Sequence, residues 1–369
     1  MRLTPILSSS AYTHVSLSHS NMPQPPTIAV VIPNYNDSRY ILKCLRSVLE
    51  QPSPPDQVIV IDDASTDNSV AIIRSVIAPH RCAQLIVNPT NLGVNGAVAA
   101  GLQHVTADYV LFLSANDYVL PGIFAKAREG FSRSPEAGLW SAMAWLVNEN
   151  DAVIRLHMSP VVAIGDTVFS ADECARLAHR VGNWFTGPTL IYRREAFNSV
   201  GGFDHAYGAL TDLITAWAVA SRYGAAYSPE PLAAFRIHAG SYCVSTLKGD
   251  SRLDEVRLRL EQCGPALSPL LFHRAFIERL ILRFRFAALR YTGGQLLEEI
   301  ADYASGWKRT CLQGIHSVLP RSLQALRIAI GFLILLPFDV VPTLIYRILG
   351  WSIVRLRFRQ PAVASVRQV

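Results

Sequence analysis

Cysteine is scarce and scattered in this chain of 369 residues. The six cysteines lie far apart and form no Cys-x-x-Cys pair, so neither a zinc knuckle nor a disulfide framework is indicated, and reduced thiols in the cytosol are the simplest expectation. Residues 1–26 lack a continuous apolar run preceded by basic residues, so we interpret them as a flexible lead-in rather than a secretory signal. No Gly-x-Gly-x-x-Gly follows the first predicted strand, which excludes a dinucleotide-dependent dehydrogenase.

Charge is unevenly distributed along the chain. Residues 1–239 carry 16 Lys and Arg against 19 Asp and Glu, a net charge of −3, whereas residues 240–369 carry 18 against 9, a net charge of +9. The arginines of this basic tail alternate with long aliphatic side chains, and the chain has no recognised nucleic-acid-binding motif, so we expect no nucleic acid partner.

Apolar runs rich in β-branched residues alternate with amphipathic segments from Thr27 onward. The pattern predicts strands at 28–32, 57–61, 84–87 and 109–113, and helices at 38–50, 68–77 and 94–105. Strands that alternate with helices of about a dozen residues indicate parallel βαβ units. The strands are continuously apolar, as expected of parallel strands covered on both faces.

Carboxylates follow two of these predicted strands. Residues 61–67 read Ile-Asp-Asp-Ala-Ser-Thr-Asp, and residues 114–117 read Ser-Ala-Asn-Asp. In open α/β sheets the carboxyl edge of the strands is where ligands bind. Two acidic strand ends therefore suggest a site that holds a base or ribose by hydrogen bonds and a diphosphate through a divalent cation. The alternative for each segment is a structural turn, and Asp62 fits that alternative even if Asp63 is functional.

Further motifs follow in a fixed order. The set comprises Val-Val-Ile-Pro-Asn-Tyr-Asn at 30–36, the acidic segment at 62–67, Asn-Leu-Gly at 91–93, Phe-Leu-Ser-Ala-Asn-Asp at 112–117, Gly-Gly-Phe-Asp at 201–204 and Thr-Asp at 211–212. This ordered set resembles the family 2 glycosyltransferases with a GT-A fold. The resemblance implies an α/β domain at 27–245, built on an open, mostly parallel sheet flanked by helices. The basic tail at 246–369 lies outside the resemblance, and its own composition predicts helices.

The resemblance also assigns a donor site. It implies that Pro33, Tyr35 and Asp63 bracket the nucleotide base and that Asn116 lies near the ribose. An aromatic ring offers a stacking face, and a carboxylate accepts the imide N–H that uracil presents and cytosine lacks, which favours a UDP-linked donor. Asp117 would bind a divalent metal, Mn or Mg, and His238, in an Arg-x-His segment, would supply a further metal ligand or a phosphate hydrogen bond.

Asp212 is the candidate catalytic residue. In an inverting transfer the acceptor hydroxyl attacks the anomeric carbon, and a carboxylate within hydrogen-bond reach removes its proton. The implied function is transfer of a sugar from a nucleotide-sugar donor to a saccharide or lipid-linked acceptor in glycan synthesis.

The chain also departs from the family pattern. Asn116 stands where the family usually has Asp, Val98 and Ala99 stand where many relatives have Arg-Asn, and Thr211 replaces the usual Glu. These departures keep open an alternative, a GT-A-fold nucleotide-sugar-binding protein without turnover. Retention of Asp117 and Asp212 favours the enzyme.

The tail predicts contact with a membrane surface. Residues 272–291 read as a helix with arginines among Phe, Leu and Ile, which suits an anionic bilayer or, equally, a bundle helix with snorkelling arginines. Residues 328–349 have the length of a membrane span, but Asp339 and two prolines interrupt the run. A broken, re-entrant or interfacial hairpin fits better, so we expect peripheral or monotopic attachment at the cytoplasmic face of a membrane.

Overall fold

A computed structural model describes residues 25–237, 252–292, 307–319, 321–336 and 344–358 of the chain. Every strand of the described chain belongs to one mixed sheet of ten strands. Helices cover both faces of this sheet, so the expected α/β architecture is confirmed.

The first half of the sheet is parallel and follows the predicted alternation of strands and helices. Its elements are β1 (Ile28–Asn34), α1 (Ile41–Leu49), β2 (Gln57–Asp62), α2 (Ser69–Ile77), β3 (Ala83–Val87), α3 (Gly93–Leu102) and β4 (Tyr109–Phe112). The strands lie in the order β3-β2-β1-β4, and all three pairings are parallel. The predicted strands and helices are therefore confirmed to within a few residues at each end. The carboxyl ends of β1, β2 and β4 lie at one edge of the sheet.

The second half of the sheet mixes strand directions. Its elements are β5 (Tyr118–Val119), α4 (Ile123–Arg133), β6 (Leu139–Val147), β7 (Val153–Leu156), β8 (Thr167–Phe169), α5 (Ala171–Val181), β9 (Ile191–Arg193), α6 (Arg194–Ser199), α7 (Thr211–Tyr223) and β10 (Ala225–Arg236). Short β9 is antiparallel to both β4 and β6, whereas the long strands β6 and β10 are parallel. The pairing of β10 with β5 brings the end of β10 beside the turn that follows β4.

Two hydrophobic cores form, one on each face of the sheet. One core packs α1 and α4 against alternate side chains of β1, β2 and β6. The other packs α3, α5 and α7 against the opposite side chains and holds most of the large aromatics, including Trp145, Trp184, Tyr192 and Trp217. The strands are buried on both faces, which explains their continuous apolarity.

The tail is helical and packs against the domain. Its elements are α8 (Arg252–Leu267), α9 (Arg274–Thr292), α10 (Trp307–Val318), α11 (Gln324–Leu335), a π-helix (Leu344–Leu349) and α12 (Gly350–Arg357). Phe276 of α9 lies edge-on to Trp217 of α7, with ring centroids 5.4 Å apart. Near the C-terminus, the amide of Val161 donates to the carbonyl of Tyr346 at 2.9 Å, and Trp351 Nε1 donates to the carbonyl of Ser159 at 3.1 Å.

The predicted helix at 272–291 is confirmed as α9. The apolar run at 328–349 does not form one continuous helix, because α11 ends at Leu335 and leads into Leu336. Residues 337–343, with Asp339 and both prolines, lie outside the described part of the chain. Among the residues that are described, no helix has the length and apolarity needed to cross a bilayer.

Gly101 allows α3 to approach the parallel sheet closely. A Cβ at this position would lie 2.7 Å from Cγ1 of Val31 and would also overlap Ile61. We expect Gly101→Ala to lower the free energy of unfolding by about 1–3 kcal/mol, the usual cost of overpacking a core. Chemical denaturation of the full chain measures the change.

Gly314→Ala is the matched control for this substitution. Gly314 also lies in a helix, α10, but an added Cβ would meet open space, so the variant should be neutral or slightly more stable. If Gly101→Ala were as stable as Gly314→Ala, the close packing of α3 on the sheet would be contradicted.

Candidate functional site

The parallel register brings three of the predicted site segments to one edge of the sheet. Asn34 at the end of β1 lies opposite Asp62 at the end of β2, and Val31 lies opposite Phe112 at the end of β4. The turns after these strands carry Tyr35, Asp63 and Asp117. Residues 35, 63 and 117 are far apart in sequence, so the parallel sheet is what makes them neighbours.

Asp62 has a structural role. Its Oδ1 accepts a hydrogen bond from Asn34 Nδ2 at 2.8 Å, and its Oδ2 accepts one from the backbone amide of Ser65 at 2.9 Å. The Ser65 hydroxyl in turn accepts from the backbone amide of Asn36 at 3.0 Å. These bonds lock the turn after β1 to the turn after β2, and they agree with the structural alternative for Asp62.

Tyr35 is placed to contact a ligand. Its residue surface is 48% exposed at the carboxyl edge of the sheet, so the ring is available for stacking. Pro33, opposite Ile61 in the register, fixes the backbone before it.

Asp63 is buried, and its carboxylate accepts hydrogen bonds from two other residues of the protein. Its Oδ1 accepts from Asn88 Nδ2 at 2.8 Å and from the Leu92 amide at 3.0 Å, and its Oδ2 shares the Leu92 amide at 3.1 Å. The carboxylate therefore holds the Asn-Leu-Gly segment against β2. A carboxylate has about four acceptor positions, so one position on Oδ2 has no donor among the described residues. The sequence did not reveal the link to Asn88.

Asp117 is buried beside the end of β10. The backbone amide of Arg236 donates to its Oδ1 at 2.8 Å. Burial raises the pKa of this carboxyl to about 7, although the hydrogen bond and charge of Arg236 oppose the rise. Within the described residues, Oδ2 of Asp117 accepts no hydrogen bond.

The Arg236 side chain joins the turn after β4 to the turn between β6 and β7 and is only 1% exposed. Its Nε donates to the carbonyl of Asn116 at 2.7 Å. Its Nη1 donates to the carbonyl of Asn148 and to the carbonyl of Glu149. Its Nη2 forms an ion pair with Asp151, and the guanidinium lies 4.6 Å from the ring centroid of Tyr40. The Arg-x-His segment was expected to approach phosphates or a metal, but four of the five N–H donors of this arginine are committed to the protein.

The residues at this edge are of the types that could bind a divalent metal together with the diphosphate of a ligand. Asp117 has one carboxylate oxygen with no donor among the described residues, and Asn116, which is partly exposed, carries an amide oxygen. Carboxylate and amide oxygens are both ligand types that Mg and Mn accept. Among the described residues no group of three His, Cys, Asp or Glu side chains forms a metal cluster. His238 lies outside the described residues.

Asp212 lies in the first turn of α7 and is exposed. Its Oδ1 accepts from the amide of Leu213 at 2.8 Å, and its carbonyl accepts from the Tyr192 hydroxyl at 3.4 Å. Tyr192 packs on Phe112 at the end of β4, with centroids 6.0 Å apart. The carboxyl is open to solvent on one side, yet the surrounding protein partly desolvates it and raises its pKa.

Thr211, the residue that replaces the usual Glu, is buried and structural. Its hydroxyl lies 2.9 Å from the carbonyl of Asp204 and 2.7 Å from the carbonyl of Gly208, to which it donates. The departure at this position therefore stabilises the start of α7.

Part of the chain is similar in sequence to known proteins. Residues 29–201 match the sequence model of the glycosyl transferase family 2. An uncharacterized glycosyltransferase from Nostoc sp. is 30% identical over 182 residues, which cover 48% of this chain and 54% of that protein. This chain thus aligns with only about half the length of that relative.

Two solved structures share the fold at low identity. TarS of S. aureus (residues 1–349), in complex with UDP-GlcNAc, superimposes with a TM-score of 0.56 at 16% identity, covering 87% of this chain and 91% of that chain. The mannosyltransferase PcManGT from Pyrobaculum calidifontis, in complex with GDP-Man and Mn2+, superimposes with a TM-score of 0.52 at 18% identity, covering 92% of this chain and 89% of that chain.

The ordered motifs, the mixed sheet and these matches agree with one another. Residues 29–201 of the chain therefore resemble the glycosyl transferase family 2.

Proposed function

We propose that the protein transfers a sugar from a nucleotide-sugar donor to an acceptor hydroxyl, with inversion at the anomeric carbon. The observation that carries this proposal is the separation of two acids with different environments. Asp117 is buried at the sheet edge, whereas Asp212 is exposed at the start of α7. Binding a charged diphosphate and removing a proton from the acceptor require separate groups. The matched family and the nucleotide-sugar complexes of TarS and PcManGT support the same reaction class.

A uracil base is the donor base that the site suits best. The exposed ring of Tyr35 provides a stacking face. The remaining acceptor position on Asp63 Oδ2 suits the imide N–H of uracil. Because the Asn88 and Leu92 bonds hold this carboxylate rigidly, little conformational entropy is lost when the base binds. We therefore favour a UDP-linked sugar.

A divalent metal, Mn or Mg, would be held by Asp117 with Asn116 and His238. When bound, it supplies positive charge that neutralises the diphosphate leaving group. The backbone amide of Arg236 holds Oδ1 of Asp117 and leaves Oδ2 toward the ligand. In this way the protein orients a single carboxylate rather than building a complete metal cage.

Asp212 acts as the general base in this proposal. The carboxylate accepts the proton of the acceptor hydroxyl as that oxygen forms a bond to the anomeric carbon and the bond to the nucleotide diphosphate breaks. Partial desolvation raises the pKa of Asp212, which makes its carboxylate a stronger base than an ordinary aspartate. Its exposure leaves room for the acceptor on the open side.

The acceptor is proposed to be a saccharide or lipid-linked saccharide at an anionic membrane surface. Five apolar side chains project from one face of the π-helix and α12 and are exposed; they are Ile345, Ile348, Leu349, Ile353 and Leu356, the last 89% exposed. Apart from the adjacent pair Ile348 and Leu349, they are spaced three or four residues apart, as residues on one face of a helix are. We call these five residues the apolar ridge.

The opposite face of the same helices is already used within the protein. Gly350 and Val354 are buried against the domain, so the ridge points outward. Arg355 and Arg357 are exposed beside it, as expected of a helix that lies at the level of lipid headgroups. We propose peripheral attachment at the cytoplasmic face of a membrane, and the outward position of the ridge is the feature that supports contact with a membrane surface.

The first test of the reaction is Asp212→Asn. We expect nucleotide binding to be unchanged and sugar transfer to fall by roughly 10²–10⁴-fold, the usual contribution of a general base. Product formation from a labelled nucleotide sugar measures the loss. Asp172→Asn is the matched control because Asp172 is also exposed in the first turn of a helix, α5. Undiminished turnover in Asp212→Asn would remove this residue from the role, and donor binding without turnover in the wild type would favour a binding protein.

The second test concerns the metal. Asn at position 117 can still accept the Arg236 amide but carries no charge, so Asp117→Asn should fold normally. We expect titration calorimetry of UDP with Mn to show at least a tenfold weaker affinity than in the wild type, because one charged ligand is lost. The same titrations without Mn serve as the reference. Equal, Mn-dependent affinities in the wild type and the variant would contradict a metal at Asp117.

The third test concerns the membrane. The double substitution Ile348→Glu and Leu356→Glu puts two carboxylates on the apolar ridge, so sedimentation with vesicles rich in anionic lipid should be lost. Ile154→Glu is the control, since Ile154 is exposed on β7 of the catalytic domain, outside the ridge. Equal sedimentation of the double variant and the wild type would exclude the ridge as the binding surface.

A further inference from the structure

The loop before α7 fixes the position of Asp212. Residues His205–Leu210 form a short 3-10 segment, and Asp204 caps it by accepting the amide of Ala206 on Oδ1 at 2.9 Å. The carbonyl of Asp204 also lies 2.9 Å from the Thr211 hydroxyl. Asp204 thus contacts both ends of the turn that leads directly into Asp212.

This loop contains a kink that depends on glycine. Gly208 has φ 54° and ψ −129°, a backbone conformation that residues with a side chain rarely adopt. Hydrogen bonds must hold such a turn in place, because it has no regular helical ladder. The contacts of Asp204 are therefore important for the direction in which α7 begins.

A tail residue holds Asp204 from the other side. Arg259 of α8 donates to Asp204 Oδ2 through Nε at 3.2 Å and through Nη2 at 2.9 Å. Two donors on one oxygen define the position of the carboxylate better than a single ammonium does. The two side chains are 44% and 34% exposed, so the pair contributes little to global stability. Its effect is local.

A cavity lies behind this ion pair. It has a volume of about 440 Å³ and separates the loop and α7 from parts of α8. Its lining includes Gly202, Asp204, Thr215, Arg259 and Cys263. Beside the cavity, Val256 and Leu260 of α8 belong to the same hydrophobic core as Tyr207 and Leu210 of the loop. The ion pair between Asp204 and Arg259 provides a direct polar link across this region.

We propose that Arg259 is a positioning residue for Asp212, so that the tail helix α8 supports the transfer reaction. The path runs from the guanidinium of Arg259 to Asp204, from the Asp204 carbonyl to Thr211, and from Thr211 to its neighbour Asp212. The inference rests on the proposed function. A base that is displaced by a fraction of an ångström loses rate without loss of donor binding, and this separates positioning from a general structural role.

The test compares Arg259→Gln with Arg259→Lys in the full chain. We expect Arg259→Gln to lower kcat about three- to tenfold, with the KM for the nucleotide sugar and the affinity for UDP within twofold of wild type. Lysine restores a positive charge, so Arg259→Lys should recover at least half of the lost kcat. Arg257→Gln is the matched control, because Arg257 lies on the same helix and its ion pairs are with Asp254 and Glu261 of that helix.

A second pair of variants makes the result independent of folding. Asp204→Asn keeps an oxygen to cap the 3-10 segment but removes the charge that Arg259 contacts, so it should lower kcat by the same factor as Arg259→Gln. The double variant should lose no more than either single variant, because both remove the same interaction. If Arg259→Gln does not fold, Asp204→Asn against Arg257→Gln gives the comparison.

The inference is overturned if Arg259→Gln turns over within twofold of the wild type, if the loss appears in KM rather than kcat, or if Arg257→Gln loses as much. It is also overturned if the two single effects multiply in the double variant. Failure of the proposed function gives a different result from failure of this inference, because the wild type itself would then form no product. That result would overturn both the proposed function and the role of Arg259.

Discussion

The buried guanidinium of Arg236 is the interaction on which the site depends. A charge out of contact with water is costly unless every donor has a partner. Carbonyls after β4 and between β6 and β7, together with Asp151, provide these partners. Satisfying one arginine therefore requires these two turns to take one arrangement. The backbone amide of Arg236 also donates to Asp117. The residue whose side chain fixes the turns therefore also orients the proposed metal ligand.

The acidic residues of the site have different roles because their surroundings differ. Asp62 and Asp63 both accept hydrogen bonds from protein donors, and these bonds give the sheet edge its shape. Asp117 is buried, and burial raises the pKa of its carboxyl. Asp212 is exposed at a helix start. Environment, rather than residue type, separates structural support from ligand binding and proton transfer.

The tail is part of the catalytic unit rather than a separate appendage. Phe276 of α9 packs on α7, and Arg259 of α8 holds the loop before it. Farther along, Tyr346 and Trp351 bond to the 159–161 segment of the domain. Contacts at both ends orient the apolar ridge relative to the sheet. In the proposed function, a membrane bound at the ridge would lie at a fixed orientation to Asp212.

The amino-acid pattern was sufficient for the parallel half of the fold. Local apolar periodicity indicates each of its strands and helices. The acids after β2 and β4 lie at the same edge of the sheet because parallel strands share a carboxyl edge. The positions of Tyr35, Asp63 and Asp117 followed from this rule. The antiparallel insertion of β9 was not predicted, because a three-residue strand has too few residues to show a period.

The sequence by itself thus determined the α/β class, the family resemblance and the residues at the sheet edge. Only the tertiary structure decided what several of them contact. Asp62 accepts a hydrogen bond from Asn34, and Arg236 donates to Asn116, 120 positions earlier in the chain. Arg259 pairs with Asp204, 55 positions earlier. Hydrogen bonds and ion pairs of this kind leave no periodic trace in the sequence. Their partners meet only after the sheet and helices have packed.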